Sequence, residues 1–182
     1  FGSLEVDNKP LLLALCERAK HPQVATRFDA QGCSNIIWAM AKLNHRDEQL
    51  LKLLVEQFQQ HLKKQPGEVV PQEIGNALWG LSELEYAAPS LFAFASKFAL
   101  SRLANFDPQA VSNIALAFGR FGIKDEQLFS GLMQQLDKLF DECVPQSLAN
   151  TLWARAKLGF KQEQLLRAIA ARLPPRLSAF KS

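Results

Sequence analysis

The stretch PQSLANTLWARAKLG, residues 145–159, decides the fold, because its pattern occurs three more times in the chain without a gap. Ala30 opens AQGCSNIIWAMAKLN, Pro71 opens PQEIGNALWGLSELE, and Pro108 opens PQAVSNIALAFGRFG. Self-similarity at a near-constant interval marks a repeat architecture and outranks the reading of any single element. The Asn of each block stands at Asn35, Asn76, Asn113 and Asn150, giving spacings of 41, 37 and 37 residues: one unit, with one insertion. Four residues before each Asn stands a Gln, at Gln31, Gln72, Gln109 and Gln146. Three after it stand Trp38, Trp79, Leu116 and Trp153, eight after it Leu43, Leu84, Phe121 and Leu158, and fifteen after it Leu50, Leu91, Leu128 and Leu165.

The Asn-bearing segment reads as a helix. Pro71, Pro108 and Pro145 suit a first helical position, where the missing N–H is no loss, and Asp107 offers an N-cap oxygen ahead of Pro108. Apolar residues then recur at helical spacing, with Ile74, Leu78 and Leu81 in one block and Val111, Ala115 and Phe118 in another. Gly122 and Gly159 fall where a C-terminal cap ends such a helix. A second segment opens at Asp47-Glu48-Gln49-Leu50, Asp125-Glu126-Gln127-Leu128 and Gln162-Glu163-Gln164-Leu165, with acids in a first turn where the helix dipole favours them. Leu128, Leu132, Leu136 and Leu139 give it an apolar stripe. Lys63-Lys64-Gln65-Pro66-Gly67 lies outside the helical pattern and predicts a longer, turn-rich connection.

A pair of helices cannot bury its apolar face alone, and such pairs stack into a continuous core. The predicted fold is therefore all-α: an α-solenoid of tandem antiparallel helix pairs with a repeat of about 37 residues. The units fall at about 28–68, 69–105, 106–142 and 143–179. A partial repeat covers 1–27, where Leu11–Lys20 matches a second helix, and a further repeat starts at 180–182, since Phe180 lies 74 residues after Phe106. Opening on Phe1-Gly2-Ser3 rather than Met, the chain reads as a piece of a longer array.

With 182 residues, 48% of them hydrophobic and 21% charged, the composition is globular, and the length is that of one domain. Twenty-one Lys and Arg against 18 Asp and Glu leave +3, a mild excess that permits an anionic partner without demanding one. Cys16, Cys33 and Cys143 are far apart and form no CxxC pair, which argues against a disulfide framework or zinc site and fits a reducing compartment. The longest apolar runs, Leu11–Cys16 and Ile36–Ala41, fall well short of the roughly 18 residues of a membrane span.

The block from Pro145 to Gly159 resembles the first helix of the octotricopeptide repeat and of the similar heptatricopeptide repeats found with RAP domains. The resemblance runs from about Ala30 to Phe180; the octotricopeptide Pro-Pro-Pro-Glu-Trp signature is absent, and Asp-Glu-Gln-Leu or Ala-Pro-Ser-Leu stands in that region. It implies a superhelix that binds RNA in mitochondria or chloroplasts, in the matrix or stroma, acting in transcript stabilisation, processing, translation or ribosome assembly.

Two readings stand for each candidate column. Asn35, Asn76, Asn113 and Asn150 are poor helix formers. They either face a single RNA strand or form an inter-repeat amide ladder, the reading that recurrence at one site favours. Lys42, Arg120 and Lys157 stand seven residues after their Asn, and Arg46, Lys124 and Lys161 eleven after; the second unit has Glu83 and Ala87 instead. These columns are either a basic ridge for a phosphate chain or solvated helix ends, whose field Asp47, Asp125 and Glu126 blunt. Arg155 stands where other units carry Met40, Leu81 and Phe118, as a phosphate or base contact or as a snorkelling edge residue. Trp38, Trp79 and Trp153 would suit base stacking, but Leu116 at the same place favours a core role, with Ala39, Gly80, Ala117 and Ala154 allowing close helix approach.

His21, His45 and His61 share no repeat position, and no nucleophile triad, glycine-rich phosphate loop or metal spacing is present, so the expectation is a binding protein without enzymatic activity, metal or cofactor. Expected partners are RNA, organellar messenger or ribosomal, with ribosomal or other assembly proteins as the alternative for a structural scaffold.

Overall fold

The computed structural model describes residues 9–160 and 163–174. Among the described residues ten α-helices follow one another: α1 (Lys9–Lys20), α2 (Pro22–Ala25), α3 (Ala30–Lys42), α4 (Glu48–Lys64), α5 (Pro71–Glu83), α6 (Pro89–Arg102), α7 (Pro108–Phe121), α8 (Glu126–Lys138), α9 (Pro145–Lys157) and α10 (Glu163–Arg172). Among the described residues there is no strand. The four Asn-bearing blocks are α3, α5, α7 and α9.

These helices start and stop for local reasons. Asp29, Asp47, Asp107 and Asp125 accept the amides of Gly32, Leu50, Ala110 and Leu128 at 2.7, 3.0, 2.7 and 2.9 Å, so four helices carry an acidic N-cap. Each first helix ends on a left-handed residue nine positions after its Asn, at Asn44 (φ 48°), Glu85 (φ 53°), Gly122 (φ 67°) and Gly159 (φ 74°). The amides of His45, Tyr86, Ile123 and Phe160 then return to the carbonyls of Met40, Leu81, Phe118 and Arg155, a Schellman closure in all four units. The insertion in the first unit is less of a loop than its composition suggests: Lys63 and Lys64 form the last turn of α4, and the connection is residues 65–70.

α3, α5, α7 and α9 lie side by side as one layer, and α1, α4, α6, α8 and α10 follow one another as the second. Positions within two residues of equivalence meet across the first layer, so its helices run parallel. A Cβ on Gly80 of α5 would lie 2.8 Å from Ile37 Cγ2 of α3, and one on Gly119 of α7 would lie 2.7 Å from Ala154 Cβ of α9, so helices touch there backbone to side chain. Within a pair the helices are antiparallel: the His61 ring at the end of α4 lies 3.0 Å from the carbonyl of Phe28 ahead of α3, and Gln135 of α8 donates to the carbonyl of Phe106 ahead of α7. The chain is thus an α-solenoid of helix pairs, with α1 packed on α4 as a second helix packs on its neighbour.

The core lies between the layers. Met40, Leu81 and Phe118 fill one buried column, and Leu50, Leu91 and Leu128 of the second helices are buried in the same core. Phe92, Phe118, Phe129 and Phe160 run through three units with ring centroids 5.1, 6.5 and 4.9 Å apart, tying unit to unit by aromatic packing. Arg155 completes the Met40 column and is only 4% exposed, so it is a core residue and neither an RNA contact nor a snorkelling edge residue. The predicted Lys161 and the start of a further repeat at 180–182 lie outside the described residues.

Candidate nucleic-acid interface

Positions four before each Asn, the Asn itself, and three and seven after it share one face of an α-helix. Four parallel first helices turn this stripe into a grid, and across it runs a groove of about 720 Å³. Its walls include Trp38, Lys42, Trp79 and Glu83 from α3 and α5, Gln109, Asn113, Leu116 and Arg120 from α7, and Gln146, Asn150 and Trp153 from α9. A second hollow of about 590 Å³ shares Glu83, Arg120 and Trp153 and adds Lys157 and Glu85, extending the surface towards the helix-to-helix turns.

The Asn residues do not form the expected ladder. Asn35 is exposed, and Asn76, Asn113 and Asn150 are half-buried. The Asn150 amide oxygen accepts from Gln146 Nε2 at 2.9 Å within its own helix, and among the described residues the side chains of Asn35, Asn76 and Asn113 make no hydrogen bond. Of the four, Asn113 and Asn150 line the groove, and the unbonded Asn113 amide presents a donor and an acceptor to it.

The tryptophans are not core residues either. Trp38 and Trp79 are half-buried with ring centroids 6.5 Å apart, and Trp153 is 44% exposed. Leu116 in the same column is 8% exposed. The three tryptophans keep one side open at the rim of the first layer while Leu116 in the same column is packed, so a Leu at that place does not report how exposed its aromatic counterparts are.

The cations lie against these rings. Lys42 Nζ is 5.4 Å from the Trp38 centroid and 5.0 Å from that of Trp79, and Lys157 Nζ is 5.1 Å from that of Trp153. Arg120 Nη1 pairs with Glu83 Oε1 at 2.6 Å and lies 3.3 Å from Ser82 Oγ. Lys42, Arg120 and Lys157 are thus brought together with the tryptophans, with Glu83 the acid among them. The second column is less coherent: Arg46 pairs locally with Glu48 at 2.6 Å, whereas Lys124 is exposed with no ion pair among the described residues. Arg155, inside the core, has Nε and Nη2 buried with no acceptor, and burial lowers its pKa from the ordinary guanidinium value. Sequence reasoning weighed the tryptophans for stacking but favoured the core, although their place on the Asn–Lys stripe was the signal for the groove.

The arrangement offers π-faces flanked by cations and amides, which suits flat aromatic groups on an anionic backbone. No described helix is long and apolar enough to cross a membrane. None of the curated proteins matches the chain. The family model described as RNA-editing substrate-binding complex 6 protein matches residues 67–179, the span from just ahead of α5 through α10. It is an RNA-associated helical family, and the likeness to octotricopeptide and heptatricopeptide repeats stays a resemblance of blocks. Since the match covers well over half of the solenoid, the chain belongs to the RNA-editing substrate-binding complex 6 protein family.

Proposed function

We propose that the groove over α3, α5, α7 and α9 holds single-stranded or loop RNA, and that the chain does so as a non-catalytic subunit of an RNA-editing substrate-binding complex. The observation that carries this reading is the placement of Trp38, Trp79 and Trp153 in one open groove, each with a lysine ammonium about 5 Å from its ring. Stacking on such rings contributes about 1–3 kcal/mol per base and is tolerant of sequence. Lys42, Arg120 and Lys157 would meet phosphates, and the amides of Asn113 and Asn150 would meet base edges or ribose. Family membership supports a role among RNA-bound assemblies, and the block resemblance supports an organelle, mitochondrion or chloroplast, as its place.

The test is RNA affinity as a function of salt. Substituting Lys42, Arg120 and Lys157 together by Glu should abolish binding of a single-stranded oligonucleotide at physiological salt. Substituting the three by Gln should lower the slope of log affinity against log salt by about 2, at about 0.7 per lost contact. An unchanged slope removes this column from the mechanism. A second reading, a scaffold that binds protein, is favoured by one feature: Leu13 and Leu15 of α1 are 46% and 54% exposed. Such a scaffold would assemble with protein partners while showing no affinity for free RNA.

A further inference from the structure

The column seven residues after each Asn is basic in three units and acidic in one, and the acid lines the groove. Glu83 is held there: its Oε1 pairs with Arg120 Nη1 at 2.6 Å, and its side chain remains 32% exposed. Among the described residues Oε2 has no hydrogen-bond partner, and a carboxylate offers about four acceptor sites in all. Four residues before Glu83 on the same helix face stands Trp79, half-buried with its ring lining the same groove. A carboxylate among phosphate-binding cations repels a phosphate, so this unit presents a stacking surface beside an acceptor pair, not a phosphate contact.

Of the four RNA bases, guanine alone carries two adjacent donors on its Watson–Crick edge, N1–H and the N2 amino group. Adenine and cytosine each set a ring-nitrogen acceptor beside one amino donor, and uracil flanks one N–H with two carbonyls. The Arg120 fork next to Glu83 adds donors of the kind that pair with guanine O6 and N7. We propose that the second unit is a guanine-reading position, with the base stacked on Trp79 and its Watson–Crick edge donating to the Glu83 carboxylate that Arg120 orients. This rests on the reading of the groove as an RNA site and adds to it a base preference at one unit.

The experiment uses the whole chain and four 12-nucleotide probes: oligouridine, and oligouridine with one central guanosine, inosine or adenosine. Guanosine should tighten binding about tenfold over oligouridine, the scale of a good bidentate contact. Inosine, which lacks the N2 amine, should fall between, and adenosine should gain little. Glu83→Gln changes no volume and sits at a partly exposed position, so folding should survive it. It should erase the guanosine advantage while leaving oligouridine affinity equal or higher, because a negative charge leaves the groove. Equal binding of the guanosine and uridine probes by the unaltered chain overturns the proposal, as does a guanosine preference that persists in Glu83→Gln. Either of those outcomes leaves RNA binding standing, whereas no binding of any probe overturns the groove reading and the guanine position together.

Discussion

Arg155→Met tests the most unexpected packing feature of this solenoid. Arg155 occupies the column filled by Met40, Leu81 and Phe118, is 4% exposed, and leaves Nε and Nη2 buried without an acceptor. A buried donor left unpaired costs about 1–3 kcal/mol, and more when it is charged. Methionine is unbranched and somewhat shorter, carries no charge, and already fills the equivalent place in the first unit as Met40. Replacing even paired buried charges by apolar residues of similar volume is often neutral or stabilising by about 1–4 kcal/mol, and an unpaired one has less to lose. At about 2–4 °C per kcal/mol for a chain of this length, the melting temperature should rise by about 2–16 °C. The assay is a thermal melt followed by far-UV circular dichroism, run alongside oligonucleotide affinity. Stability should rise while RNA affinity stays constant, because the side chain does not reach the groove. A fall in melting temperature would mean that the guanidinium has an acceptor in the folded protein. A loss of RNA affinity in a well-folded variant would restore Arg155 as an RNA contact.

Glu85→Gly should stabilise by about 0.5–1 kcal/mol in denaturant titration: Glu85 holds φ 53° where Gly122 and Gly159 serve in later units, and relief of the left-handed strain outweighs the added chain entropy. Gly119→Val should cost about 1–3 kcal/mol and lower the thermal midpoint, since its Cβ alone would sit 2.9 Å from the Ala154 Cα. Burial raises the Asp47 carboxyl, but the Leu50 amide and the Lys20 ammonium, 3.0 Å away, pull it down by more, so the net shift is downward. A lowered folded value means stability present above the unfolded value and lost as pH falls through the folded one. Asp47→Ala should therefore cost about 1 kcal/mol at neutral pH, with the gap closing below about pH 4 in denaturant titrations. Burial pushes the Cys33 thiol up to about 12, so a maleimide near neutral pH should label it only after denaturation.

Much of the fold was legible because the repeat is written in residues with fixed backbone roles. Prolines at Pro71, Pro108 and Pro145 open three of the first helices, Asp107 caps where expected, and Gly122 and Gly159 turn out left-handed. The same turn was hidden in the second unit, because Glu85 adopts a glycine conformation that its side chain does not advertise, whereas Asn44 in the first unit is a residue type that tolerates it. Lys63 and Lys64 looked like loop residues but extend α4 by part of a turn, since nothing in them breaks a helix before Pro66. The basic column was readable from spacing alone; its coupling to the tryptophans was not, because Leu116, which is indeed buried, suggested that the three tryptophans of its column are packed too. Arg155 was misplaced for a related reason: charge argued for solvent, while the register of the column put it in the core.

The central claim is that RNA lies across the first-helix layer. The most direct measurement is photocrosslinking of a 4-thiouridine oligonucleotide to the folded chain, with the modified residues mapped by mass spectrometry. Adducts should fall on the helices carrying Trp38, Trp79 and Trp153 and be lost together when Lys42, Arg120 and Lys157 become Glu. Adducts confined to the second-helix layer, or undiminished by that triple substitution, would contradict the account.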